Sequence, residues 1–83
     1  MIKRKSTQPK NRKTALQIAF GKMLRMKRTE SELSQEKLAD LAGLHFTYVS
    51  SVERGERNIS LENIGKLAKA LNCKIKELMD SLG

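Results

Sequence analysis

The side chains that could do chemistry in this sequence are few, and their types favour recognition over catalysis. There is one histidine, His45, and one cysteine, Cys73. No glycine-rich phosphate loop and no carboxylate pair with a plausible pocket can be picked out, so enzymatic activity is not expected. His45 has no second histidine or nearby cysteine with which to hold a metal, and it reads as the cap of a helix beginning at Phe46. What remains is a set of hydrogen-bonding and charged residues around two short helical patterns. If Val49 and Val52 face inward, then Phe46, Thr47, Ser50, Ser51 and Arg54 point outward from the second pattern. Ser34 and Gln35 open the first, where free N–H groups and the positive end of the helix dipole suit a phosphate, and Gln35 can also reach a base edge. Arg54, Arg57 and Asn58 lie beyond the second pattern and can engage a phosphate backbone by charge and hydrogen bonds. Tyr48 leaves two readings open, packing between the helices or turning its hydroxyl to a phosphate, and Phe46 is either a core aromatic or an apolar contact.

The elements that must position these residues are a pair of helices within Gln35–Arg54. Gly43 can adopt the left-handed backbone that ends one helix and redirects the chain, and the small Ala39 allows the second helix to cross close to the first. Val49 and Val52 are expected to share a core with Leu38 and Leu41. This is the pattern of a helix-turn-helix, whose second helix usually enters a DNA major groove.

The flanking sequence completes an all-α domain. Thr14 caps a first helix that fades near Thr29 to Ser31, with Leu16, Phe20, Met23 and Leu24 on one stripe. Ser34 caps the second helix, which runs to about Ala42, and the third covers Phe46 to Glu53. Ser60 caps a fourth with Leu61, Ile64, Leu67, Ala68 and Leu71 on its apolar face, ended by Asn72. A fifth runs from about Ile75 to Ser81. Cys73 is expected to be buried and inert.

Composition sets further bounds. Eighty-three residues fit one small domain. A single cysteine gives no disulfide framework, and no apolar run approaches the length of a membrane span, so a soluble, cytoplasmic protein is expected. The net charge is +8, which invites a nucleic-acid partner. Its distribution is uneven: six of the seventeen bases and none of the nine acids lie in residues 1–13, leaving eleven bases against nine acids in residues 14–83. Residues 1–13 therefore read as a flexible basic arm, which either contacts DNA or serves as a solvated tail.

From Phe20 to Leu78 the sequence resembles the phage-repressor-like (Xre) helix-turn-helix DNA-binding proteins. The residues that carry the resemblance are Gly21, Leu24 and Arg28, then SQEKLADLAG from Ser34, YVSSVERG from Tyr48 and SLENIGKLAKALN from Ser60. Within that family, ERGERNISLENI from Glu53 is most similar to the small controller proteins of restriction-modification systems. The resemblance implies a five-helix repressor-like domain and a structural ion pair between Arg28 and Glu53. It places the base-reading positions on Phe46, Thr47 and Ser51, with Ser50 beside them. Thr47 can offer a hydroxyl or a methyl to a base edge and Phe46 an apolar contact, so direct readout should be modest and DNA shape should contribute. Two positions depart from the family pattern. Glu32 stands where a glycine usually ends the first helix, which suggests a longer or differently shaped turn. Lys27 stands at a common leucine position, so that either its stem covers the core edge or the helix rotates to bury Met26.

One recognition helix reads only a few base pairs, so a twofold dimer is expected on a pseudo-palindromic operator with half-sites about 34 Å apart. Ile75, Leu78, Met79 and Leu82 are the candidate dimer surface, unless they merely complete the monomer core. The expected partners are double-stranded DNA, a second copy and possible contact with RNA polymerase, with no cofactor or small-molecule ligand. The leading function is a sequence-specific transcription regulator, either a repressor or a dual controller. The alternative is an antitoxin-type interaction module that also binds DNA.

Overall fold

The computed structural model describes residues 13–82, so residues 1–12 of the basic arm lie outside the described residues. Five α-helices follow one another: α1 (Ala15–Glu30), α2 (Gln35–Ala42), α3 (Phe46–Glu53), α4 (Leu61–Ala70) and α5 (Ile75–Met79), the last running into a 3-10 turn at Asp80–Leu82. The fifth helix is thus shorter than its sequence pattern suggests.

Local chemistry sets both ends of these helices. Thr14, Ser34, His45 and Ser60 each accept a hydrogen bond from a backbone N–H of the first turn of the helix they cap. At Thr14 the bond is reciprocal: Gln17 donates its N–H to the Thr14 hydroxyl at 3.1 Å, and the Thr14 N–H reaches the Gln17 side chain at 2.8 Å. Helices α1 to α4 end alike. In each, a left-handed residue (Glu32, Gly43, Gly55 or Asn72) is followed by one whose N–H reaches back to a carbonyl five residues earlier, as Leu33 does to Arg28 and Leu44 to Ala39.

Glu32 is the exception in chemistry, not in shape. It adopts φ 59°, so the turn expected to differ keeps the ordinary left-handed form with a side chain where glycine would be unstrained. Its carboxylate also lies at the negative end of the α1 dipole.

Helix α1 packs on α3, α5 and the closing turn, α2 on α3 and α4, and α4 on α5. The core holds Phe20, Leu24, Leu38, Ala39, Ala42, Val49, Val52, Ile64, Leu67, Ala68, Leu71 and Leu78. Helices α1 and α3 meet closely at Gly21. A methyl group placed on Gly21 would come within 2.5 Å of the Val52 carbonyl oxygen and 2.6 Å of that of Glu53, so only a residue without a side chain fits there.

Three sequence expectations are corrected. Leu41 is 52% exposed, and Ala42, one position on, takes the core place expected of it. Leu78, a candidate dimer residue, is fully buried at the centre of the core. Cys73 is partly buried and not enclosed; what burial it has, followed by the nearby Glu77, raises its pKa. The choice at Lys27 resolves toward the lysine: its ammonium pairs with Glu77 at 3.3 Å over the core edge, while Met26 stays 44% exposed.

Replacing Glu32 by glycine should raise stability by about 0.5–1 kcal/mol, the relief of left-handed strain being partly offset by the extra freedom of the unfolded chain. Urea unfolding of Glu32→Gly against the parent measures it.

Candidate nucleic-acid interface

The placement of α3 begins with two buried charges. Arg28, in the last turn of α1, donates from Nε to Glu53 Oε2 at 2.6 Å and from Nη2 to Glu53 Oε1 at 3.0 Å. The side chains are only 12% and 3% exposed. This is the planar two-bond geometry that lysine could not reproduce. Two further bonds satisfy what the pair leaves over: Arg28 Nη1 donates to the Leu33 carbonyl at 2.8 Å, and Gln35 Nε2 donates to Glu53 Oε1 at 2.9 Å. One carboxylate at the end of α3 thereby holds the end of α1, the turn after it and the start of α2. The structural pair that the resemblance implied is present, and Gln35 joins it.

At the other end of α3, His45 is the cap. Its Nδ1 accepts the Thr47 N–H at 3.2 Å and lies 2.8 Å from the Thr47 hydroxyl. An accepting Nδ1 leaves the ring proton on Nε2, at the exposed edge. Phe46 is 41% exposed, which excludes the core-aromatic reading, and Thr47 beside it is exposed.

The outer face departs from expectation at Ser51, which is 6% exposed and does not project outward. Its hydroxyl donates to the Tyr48 carbonyl at 2.8 Å and accepts from Arg57 Nε at 3.0 Å. A buried hydroxyl is stable here because both its donor and its acceptor capacity are used. The Arg57 guanidinium also lies over the Tyr48 ring, 5.4 Å from its centre. Tyr48 is partly buried against the core, and its hydroxyl lies 3.1 Å from the Asn63 amide nitrogen, which donates to it. Ser51 and Tyr48 therefore support Arg57 from below. Of the two readings left open for Tyr48 the structure takes packing; helix face and the family resemblance put Ser51 among the base readers, and an arginine six residues beyond a serine is a weak signal that it would be buried instead.

Ser34 is exposed at the start of α2 with its hydroxyl accepting the Lys37 N–H, and Asn58 is exposed in the loop after α3. Ser50 accepts from Arg54 Nη1 at 2.6 Å, while Arg54 forms two more bonds with Glu56, Nε to Oε2 at 3.1 Å and Nη2 to Oε1 at 3.0 Å. These bonds raise the Arg54 pKa and hold the Glu56 carboxyl below its usual range, helped by the charges of Lys13 and Arg57. Glu56 was not singled out from the sequence, although its place between two arginines was the available signal. Among the described residues no group of three His, Cys, Asp or Glu side chains could hold a metal, and no helix is long and apolar enough to cross a membrane.

A helix capped and locked at both ends, with Phe46 and Thr47 at its open N-terminal edge and arginines beyond its C-terminus, is the second helix of a helix-turn-helix. The chain belongs to the helix-turn-helix family, whose sequence pattern matches residues 24–78. Among its relatives, control protein C.BamHI of Bacillus amyloliquefaciens is 48% identical over 66 residues, covering 78% of this chain and 82% of the relative. Control protein C.SmaI of Serratia marcescens is 48% identical over 60 residues, covering 72% and 71%. The crystal structure of the restriction-modification controller protein C.AhdI from Aeromonas hydrophila superposes with a TM-score of 0.77 at 54% identity, covering 78% of this chain and 98% of that one.

Removing one member of the buried pair strands the other. Arg28→Met should lower stability by about 3–5 kcal/mol, and Arg28→Met combined with Glu53→Met should recover part of that loss because no charge is then left unpaired. Denaturant midpoints of the two variants supply the comparison.

Proposed function

We propose that this protein is a sequence-specific DNA-binding transcription regulator of the controller type, acting as a dimer on a pseudo-palindromic operator. The observation that carries the reading is the rigid seating of α3: Arg28, Gln35 and Glu53 fix its C-terminal end while Phe46 and Thr47 are left exposed at its N-terminal end. A helix presented in this way reads base edges with its first turn. Thr47 and Ser50 are the polar readers, Phe46 supplies apolar contact, and Gln35 has an amide oxygen and one N–H left over beside its bond to Glu53. Ser34, Arg54, Arg57 and Asn58 engage phosphates, with Tyr48 and the buried Ser51 acting by holding Arg57. The basic arm of residues 1–13 adds sequence-independent attraction.

The dimer surface, with Leu78 withdrawn into the core, consists of Ile75 together with the outer sides of Met79 and Leu82 at the end of α5 and the neighbouring end of α4. Ile75 is 43% exposed. Two recognition helices on one duplex supply the contacts that one cannot. Occupancy of the operator then blocks or recruits RNA polymerase in the cytoplasm, and no catalytic step is involved. An antitoxin-type partner is the competing reading, and co-purification of a small protein with the chain would favour it.

Selection of bound duplexes from a random pool should return a two-part sequence with twofold symmetry. On that duplex Thr47→Ala should relax preference at particular bases. Arg57→Ala should weaken all sequences alike and reduce the salt slope by about one contact. Equal loss of selectivity in both variants would reverse the assignment of reading and anchoring.

Sedimentation should show a dimer at tens of micromolar, and Ile75→Glu should shift it to monomer without unfolding the domain. A parent chain that stays monomeric both alone and on DNA would exclude the dimer.

A further inference from the structure

Glu56 is an acid set among cations on a face that meets polyanion. It sits three residues beyond the end of α3, 38% exposed, and takes two of Arg54's five N–H bonds. Ser50 takes a third. The remaining two, one on each terminal nitrogen, are fixed in direction because the rest of the guanidinium is held. The Arg54 hydrogen bonds first, and then the charges of Arg54, Lys13 and Arg57, lower the Glu56 pKa. The pairing has two physical effects. It reduces the net attraction of Arg54 for phosphate, since the carboxylate lies beside it and repels the same anion. It also favours one orientation of the side chain, so its contact forms best where the backbone arrives in the matching position.

We propose that Glu56 is a specificity-determining residue: it holds Arg54 in one orientation, so that the arginine's phosphate contact is made in the register that base reading sets and is withheld on other sequences. The inference rests on the DNA-reading function above. On the operator the two free N–H bonds of Arg54 meet a phosphate with the Glu56 and Ser50 bonds intact. On a non-cognate duplex, where the helix docks in many registers, a held arginine gains little and the carboxylate opposes binding.

The test compares the tightest duplex recovered from the random pool with a scrambled duplex of the same length and composition. Glu56→Gln should bind the scrambled duplex about threefold to tenfold more tightly, with a salt slope steeper by about one contact, and the selected duplex less than twofold more tightly. In an Arg54→Ala background the same change should no longer alter the ratio between the two. An equal gain on both duplexes, no gain on the scrambled one, or an undiminished effect without Arg54 would each overturn the role assigned to Glu56. Failure of the DNA-reading function itself would show differently, as a parent chain with no preference among duplexes.

Discussion

Two charges taken out of water hold the recognition surface together. Arg28 and Glu53 come from helices that do not follow one another in sequence, and desolvating both would be unfavourable without the bonds that surround them. Those bonds run to the Leu33 carbonyl and the Gln35 amide, so the pair ties three separate segments to one carboxylate. Hydrophobic contact alone is not directional and would let a two-turn helix slide or rotate on its apolar side. A planar fork meeting a planar carboxylate admits one arrangement. The position of Phe46 and Thr47 relative to the rest of the domain is therefore set from the opposite end of their own helix.

The interface is built in layers. Phe46 and Thr47 stand at its edge, and the arginines are met by groups of the domain: the Ser51 hydroxyl and Tyr48 ring at Arg57, the Ser50 hydroxyl and the exposed Glu56 carboxylate at Arg54. Long cationic side chains lose considerable rotamer freedom when they bind a phosphate. Here Arg54 and Arg57 already have part of that freedom taken up by contacts within the domain. The layout resembles a relief with fixed high points more than a cushion of mobile charge, which suits a protein whose net positive charge lies mostly in the arm.

Much of this was legible in the sequence. Four N-caps, the extents of α2 and α3, the helix-ending roles of Gly43, Gly55 and Asn72, and the Arg28–Glu53 pair all follow from local chemistry or from the family pattern. The misses have a common cause: hydropathy and helix face do not report what a particular partner offers. Leu41 is more apolar than Ala42, but the buried face of α2 runs through Leu38, Ala39 and Ala42 and leaves Leu41 outside it. Ser51 is polar, yet it is buried, because a carbonyl and a guanidinium happen to use both sides of its hydroxyl. Leu78 lies on an apolar stripe that could equally face a partner or the core, and only the arrival of α1 against α5 decides it. Glu32 shows the converse, a backbone shape kept although the residue that makes it easy is missing.

The repeated left-handed ending of α1 to α4 has a consequence for how the chain reaches this arrangement. Each joint is closed by hydrogen bonds spanning only three and five residues, so the reversals between helices can form early, before any distant contact exists. Helices of eight residues are too short to persist alone in water. The joints therefore bias short, transient helices toward productive collisions, and what is left to the chain are the non-local contacts, among them the meeting of α1 with α3 and with α5. A domain with such local connectivity should fold rapidly, which would let newly made chains become competent for DNA soon after synthesis.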